Sequence, residues 1–238
     1  MNSIRTRTYR DWETFPVDSI PSTLHPYPIL YERIEPDQRI IDIGCGEGIV
    51  ALDLLAKGFG PIVGIDVNEE GIQRANDRLA NRPESQQEKC CFQVRDALDT
   101  GYPESHFDVG IMQAFMTTLT TPSDRLAVLR EAHRIIKPEG GLYLAEYMQT
   151  WWHPKYYKRY IQGEHETGKA GSFFARDPES GEILYQAHHY SERELVDLLL
   201  EAGFQVSYWS YERFITRTGN TINGAVIWAS STPDLEME

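Results

Sequence analysis

Cysteine is scarce in this chain. Cys45, Cys90 and Cys91 are its only three among 238 residues. The count is odd, neighbours Cys90 and Cys91 would pair only with strain, and no C-x-x-C or Cys/His spacing points to zinc. A disulfide scaffold and a zinc site are therefore not expected, and reduced thiols are. Long apolar runs are missing too. No stretch approaches the ~18 apolar residues of a spanning helix. The opening MNSIRTRTYRDWETF carries neither an apolar core nor a small-residue cleavage site, so neither a signal peptide nor a membrane segment is expected, and a cytoplasmic protein is. Positive charge is short: 23 Lys and Arg stand against 36 Asp and Glu, a formal charge of −13. A field of that sign repels phosphate backbones and disfavours nucleic acid as a partner.

What is present is ordinary globular composition, with 41% hydrophobic residues, 18 Gly and 13 Pro. A chain of this length buries roughly 70–75% of its unfolded surface and needs no covalent staple. Short apolar runs alternate with helix-period segments, the pattern of a parallel sheet with crossover helices. Residues 1–24 are polar and broken by Pro16 and Pro21, an arm or a short helix, and a helix-length piece follows at Tyr27–Ile34. Strands are predicted at Arg39–Ile43, Ile62–Asp66, Cys91–Arg95, Phe107–Gln113 and Leu142–Tyr147. Between them lie helices from Ile49 to Lys57, over Glu69–Asn81 and over Ser123–Ile136. The first is closed by Gly58 and the last is opened by Thr121 and Pro122. Residues 148–190 break the rhythm, and within them GSFFA and ILYQAHHY read as a hairpin turned by Asp177-Pro178 and Ser180-Gly181. This segment is expected as an insertion over one edge of the sheet, inside a single domain of residues 1–238 whose N-terminal arm is 1–36. The capping box Ser191-Glu192-Arg193-Glu194 then opens a helix ending at Gly203, before two strands, Phe204–Tyr211 and Asn223–Ala229, expected to pair antiparallel.

The informative segment is IDIGCGEG at 41–48, where a strand ends, glycines fall at 44, 46 and 48, and a helix begins. Glycines let backbone approach a ligand closely, and a helix start presents free N–H groups. A dinucleotide fingerprint needs a third glycine at position 49, which is Ile49, and a phosphate-cradling P-loop needs Gly-Lys-Ser/Thr, which is absent. Three acids stand at consecutive strand ends instead. Asp42 precedes the turn, Asp66 can grip ribose hydroxyls, and Asp96 can accept from the exocyclic amine of adenine. Each alone reads equally well as a cap or turn residue. Together they suit a positively charged nucleoside and not a phosphate-bearing ligand.

On these residues the chain resembles the class I S-adenosylmethionine-dependent methyltransferases. IDIGCGEG is similar to that family's glycine motif and GIDVNEEGI (64–72) to its ribose motif. VRDAL (94–98) is similar to its adenine motif, FDVGIMQAFMTTL (107–119) to its fourth-strand motif, and RIIKPEGGLYLAE (134–146) to its turn into strand five. The resemblance implies an α/β fold, Rossmann-like and doubly wound, with a seven-stranded, mostly parallel sheet, an antiparallel last strand and three α/β/α layers. It implies S-adenosyl-L-methionine as cofactor and S-adenosyl-L-homocysteine as product. By position, Gly44, Cys45 and Gly46 would pass along the methionine part, with Asp42 holding it directly or through water. Asp66 would bind the ribose, Val67 would pack on adenine, and Asp96 with the Ala97 N–H would bind its amine. Gln113 would offer a carbonyl to the ammonium, and Tyr9 would reach the carboxylate. The Asn-Pro-Pro-Tyr-like segment that one branch of the family carries after strand four is replaced by GIMQAFM, which argues against amide and nucleobase N-methylation of that type.

The expected activity is methyl transfer to an O or N atom of a small molecule by a monomer or homodimer. The alternatives are a tRNA or protein methyltransferase, or a non-catalytic cofactor-binding regulator. Candidate bases come from the insertion, His188 first and His153 second, because histidine titrates near neutrality. His188 and His189 are consecutive on a strand and point to opposite faces. The aromatics Trp151, Trp152, Tyr156, Tyr157, Tyr160, Phe173 and Phe174 make either a small core for the insertion or a water-excluding lid. Lys155, Lys158, Arg159 and Lys169 form a basic cluster that either recognises an acidic substrate or is a solvated helix face.

Overall fold

The computed structural model describes residues 9–19, 25–177, 179–216 and 218–232. Two 3-10 turns, Tyr9–Thr14 and Val17–Ser19, precede α1 (Pro28–Arg33), β1 (Ile40–Ile43), α2 (Ile49–Ala56), β2 (Ile62–Asp66) and α3 (Glu69–Ala80). The single turn α4 (Glu84–Gln87) leads to β3 (Cys90–Val94), β4 (Phe107–Gln113), a 3-10 turn at Met116–Thr118, α5 (Pro122–Ile135) and β5 (Ile136–Tyr147). Then come α6 (Pro154–Thr167), β6 (Ser172–Arg176), β7 (Ile183–His188), α7 (Glu192–Glu201), β8 (Phe204–Ile215) and β9 (Thr221–Ser231).

Seven strands form one sheet in the order β3-β2-β1-β4-β5-β9-β8. β1 to β5 pair in parallel, and β9 runs antiparallel to both β5 and β8. The strand order reverses between β1 and β4, and a ligand crevice is expected outside the carboxyl ends there. Alternate residues of each strand feed two cores. Ile40, Ile62, Ile111 and Tyr143 pack with α1, α2 and α3, while Ile41, Ile43, Ile65 and Leu144 pack with α5 and α7. Burial on both faces explains why β1 is an unbroken apolar run around Asp42.

Two expectations need correction. β5 begins at Ile136, not Leu142, because Ile136 pairs with Phe107 and the chain then bulges before Gly141 pairs with Val109. The expected turn, Lys137 to Gly141, is thus inside the strand as a bulge. The insertion does not lie over a sheet edge. Its hairpin β6–β7 packs at the middle of the sheet's carboxyl end, where Thr117 Oγ1 donates to the His188 carbonyl at 2.8 Å and Met148 bridges to Tyr190. The hairpin turn is closed as its residues dictate, with Asp177 Oδ1 accepting from the N–H groups of Glu179 and Ser180.

α6 seats against β6 through Gly163. A Cβ there would fall 2.0 Å from the Ser172 carbonyl oxygen. Alanine gains about 1 kcal/mol of helix propensity over glycine. A backbone clash of this size costs more, typically 1–3 kcal/mol or above. Gly163→Ala is therefore expected to destabilise the insertion despite the better helix former, seen as faster amide exchange in α6 and β6. Slower exchange there would contradict this packing.

Candidate functional site

The turn after β1 bends through glycines in the left-handed region, with φ of +73° at Gly44, +51° at Gly46 and +74° at Gly48. Each has a different neighbour. A Cβ on Gly44 would strike the Phe115 ring at 2.2 Å, and one on Gly48 would strike Phe92 at 2.6 Å, but one on Gly46 would meet nothing within 4 Å. Gly46 thus faces open space. Its N–H donates to Asp66 Oδ2 at 2.8 Å, and the Asn68 N–H donates to Asp66 Oδ1 at 2.9 Å. One carboxylate therefore fixes both the glycine turn and the start of α3. Phe115 is held over Gly44 by the turn that follows it. The buried Glu146 carboxylate accepts from the N–H groups of Met116 (2.7 Å), Thr117 (3.2 Å) and Tyr147 (3.3 Å). Burial pushes the Glu146 pKa up to about 8 even so.

These loops line a cavity of about 670 Å³. Asp42, Gly44, Cys45, Gly46 and Asp66 all border it, as do Val67, Asp96, Ala97 and Gln113. The side chain of Tyr9 lies outside the described residues. Asp96 accepts from the Leu98 N–H at 2.9 Å and from Arg10 Nη2 of the N-terminal arm at 3.1 Å. Asn68 Nδ2 donates to the carbonyls of Trp12 and Phe15, and the Trp12 ring meets Tyr185 of β7 at 5.3 Å. Arm and hairpin therefore close over the cavity from opposite sides.

The two histidines expected as bases, His188 and His153, are not in the cavity wall. His188 is buried with both ring nitrogens engaged, Nδ1 with Ser172 Oγ at 2.8 Å and Nε2 with the Glu194 carboxylate at 2.9 Å. Glu194 also takes Arg125 Nη1 at 3.1 Å. Only half of the expected capping box forms as a cap, with Ser191 Oγ accepting from the Glu194 N–H, because that acid's side chain serves His188 and Arg125. His153 is the N-cap of α6, its Nδ1 accepting from the Lys155 N–H. The histidines that do border the cavity are His25 and His189, the latter one residue past β7 on the side of Tyr185 and Ala187. Alternation from Tyr185 was the signal that would have found His189. Its ring stacks between Tyr147 (5.4 Å) and Tyr156 (5.3 Å), and its Nδ1 meets the Tyr160 hydroxyl at 2.7 Å. Of the basic cluster, Arg159 alone borders the cavity.

The electrostatics are unusual at the acidic end. Asp42 is 2% exposed and its Oδ2 has no hydrogen-bond partner. Burial, and then the nearby Asp66 charge, raises its pKa from 3.8 to about 7. Burial raises Asp66 as well, against the backbone N–H groups of Asn68, Gly46 and Val67. Among the described residues no cluster of His, Cys, Asp or Glu could hold a metal ion, and no helix is long and apolar enough to cross a membrane.

A doubly wound sheet with a glycine turn at its switch point and acids at three strand ends defines a nucleoside-binding α/β protein. A family model described as a methyltransferase domain matches residues 40–140. The solved structure of a SAM-dependent methyltransferase from Methanosarcina mazei is 40% identical, with a TM-score of 0.84, over 89% of this chain and 100% of that one. The 27-O-demethylrifamycin SV methyltransferase of Amycolatopsis mediterranei is 32% identical over 110 residues, 46% of this chain and 39% of that protein. The ubiquinone/menaquinone biosynthesis C-methyltransferase UbiE of Vibrio vulnificus is 28% identical over 214 residues, 85% of this chain and 73% of that protein. The chain thus spans about two fifths of the length of the first of these curated proteins. It belongs to the S-adenosylmethionine-dependent methyltransferases, whose cofactor is S-adenosylmethionine. The residues present fit that cofactor: Asp42 offers an unpartnered buried carboxylate oxygen to a cation, and Gly46 leaves the space a Cβ would fill.

A carboxylate pKa raised on folding costs stability as pH climbs from the unfolded value to the folded one, here from about 4 to about 7. Asp42→Asn removes that cost. Without cofactor, the variant should be more stable than the parent by roughly 2–4 kcal/mol at pH 8, with the gap closing toward pH 4. Urea unfolding at the two pH values checks this, and a variant less stable at pH 8 contradicts it.

Proposed function

We propose that this chain transfers the methyl group of S-adenosylmethionine to an O or N atom of a small molecule. The observation that carries the reading is the unpartnered, buried Asp42 carboxylate beside an open glycine turn. Asp42 balances the positive methionine end, and the backbone of Gly44, Cys45 and Gly46 borders it. Asp66 accepts from the ribose hydroxyls with lone pairs left over from its two backbone bonds. Val67 packs on the adenine, Asp96 with the Ala97 N–H takes its amine, Gln113 accepts from the ammonium, and Tyr9 is assigned to the carboxylate. The Arg10–Asp96 contact yields or rearranges when adenine arrives.

When bound, the cofactor supplies a sulfonium methyl already activated for in-line displacement. The protein's part is to orient the acceptor and exclude water. The arm 1–36 and the insertion 148–190 do the excluding and choose the acceptor. His189 is not a base in this scheme. The Tyr160 hydroxyl accepts from the Thr150 N–H at 3.1 Å and meets His189 Nδ1 at 2.7 Å, where it can donate its proton. In this reading the neutral imidazole carries its proton on Nε2, available to a molecule in the cavity. Burial also lowers the His189 pKa to about 3. Carbon is the second acceptor reading, carried by the similarity to UbiE over 85% of the chain.

Calorimetry with S-adenosylmethionine and S-adenosylhomocysteine tests the reading. Both should bind more tightly than millimolar, and Asp66→Ala should weaken both at least about tenfold, the loss of a charge-assisted pair of hydrogen bonds. No binding by the parent would end the proposal, and unchanged affinity in Asp66→Ala would remove Asp66 from the ribose.

A further inference from the structure

The cavity has two ends of opposite charge. At the strand ends stand Asp42, Asp66 and Asp96, with the single cation Arg95 among them, and on the insertion stands Arg159 of α6. The Arg159 side chain is half-buried. Its guanidinium carbon lies 5.2 Å from the Tyr156 ring centroid and 5.4 Å from that of Phe173. Arg159 and Thr216 lie against the Tyr156 hydroxyl and oppose the burial that raises its pKa. Among the described residues no carboxylate pairs with this guanidinium. Other arginines of the same region are paired, Arg176 with Glu166 at 3.0 Å and Arg125 with Glu194 at 3.1 Å. Lys155, of the same sign, lies close enough that Arg159, after burial, lowers its pKa.

A cation taken partly out of water needs an anion close by or loses several kcal/mol of solvation. Arg95, the other arginine that borders the cavity, is held by Gln93 Oε1 at 2.6 Å and the Thr100 carbonyl at 2.5 Å, whereas no such acceptor among the described residues holds Arg159. Its neighbours there are neutral: the Tyr156 and Tyr185 phenols and the His189 imidazole, whose Nε2 has no partner among the described residues. A planar guanidinium binds a carboxylate through two parallel N–H donors. One such cation balances one negative charge, which suits a carboxylate better than a phosphate.

We propose that the insertion end of the cavity is the acceptor subsite and that it takes a small molecule bearing a carboxylate. Arg159 binds the carboxylate, and His189 Nε2–H donates to a second polar atom of the same molecule. Tyr156 and Phe173 hold the guanidinium flat and supply the apolar wall. The cofactor's positive end and the acceptor's negative end then lie at opposite poles of one cavity. This step rests on the methyl-transfer reading above and names the acceptor class for it.

The test uses the full chain saturated with S-adenosylhomocysteine and matched pairs of probes, benzoate with benzamide and cinnamate with cinnamamide. Calorimetry or ligand-observed NMR should find at least one acid bound about tenfold or more tighter than its amide, with the preference weakening in salt. Arg159→Gln should abolish the preference and Arg159→Lys should keep part of it. Both variants should hold S-adenosylhomocysteine within about twofold of the parent, because Arg159 is placed away from that ligand. Equal binding of acid and amide by the parent, or no binding of any probe, overturns this inference while leaving the cofactor reading intact. A preference that survives in Arg159→Gln removes Arg159 from the subsite. Failure of S-adenosylhomocysteine to bind the parent would instead strike the cofactor reading itself. If Arg159→Gln does not fold, the acid–amide comparison in the parent and in Arg159→Lys decides alone.

Discussion

Two acids, the buried Asp42 and the half-buried Asp66, stand close together behind a turn of glycines, and no basic side chain among the described residues pairs with them. A charge removed from water in this way is costly, so Asp42 holds a proton that an arriving cation displaces. Most of the local architecture serves to hold them there. β1 is buried on both faces, so Asp42 has nowhere to turn except toward the cavity. Asp66 is fastened by the Gly46 and Asn68 N–H groups, which also set the glycine turn and the first turn of α3. The acid pair is thus part of the fold before it is part of any ligand site.

The insertion supplies the opposite pole. Its position over the centre of the sheet follows from three contacts: Thr117 to the His188 carbonyl, Glu194 to His188 and Arg125, and Glu146 to the turn after β4. His188 is consumed in that framework, while its neighbour His189 borders the cavity. Adjacent residues on one strand therefore divide the labour, one structural and one turned to the ligand.

The sheet was largely legible because its strands obey local rules. Apolar runs buried on both faces, a left-handed Gly58 and a Thr121 cap acting on Asp124 all declare themselves in sequence. So did the nine cavity residues from Asp42 to Gln113, since each sits at or just beyond the end of a strand. The rest depended on contacts between distant segments. The β5 bulge needs Phe107 to pair with Ile136, and nothing near Pro138 announces that. α6 hides behind Pro154 and Gly163, the first a helix-start residue and the second required by the close approach of β6. Choosing between His188 and His189 needed the face of β7, which Tyr185 reveals only once its contact with Trp12 of the arm is known.

The most direct measurement counts the protons released when S-adenosylmethionine binds, by calorimetry in buffers of different ionisation heat. At pH 6 the free protein holds Asp42 mostly protonated, and a positively charged ligand should expel about one proton. Asp42→Asn should release close to none. A parent protein that binds without releasing a proton, or a release that persists in Asp42→Asn, would contradict a buried acid waiting for a cation.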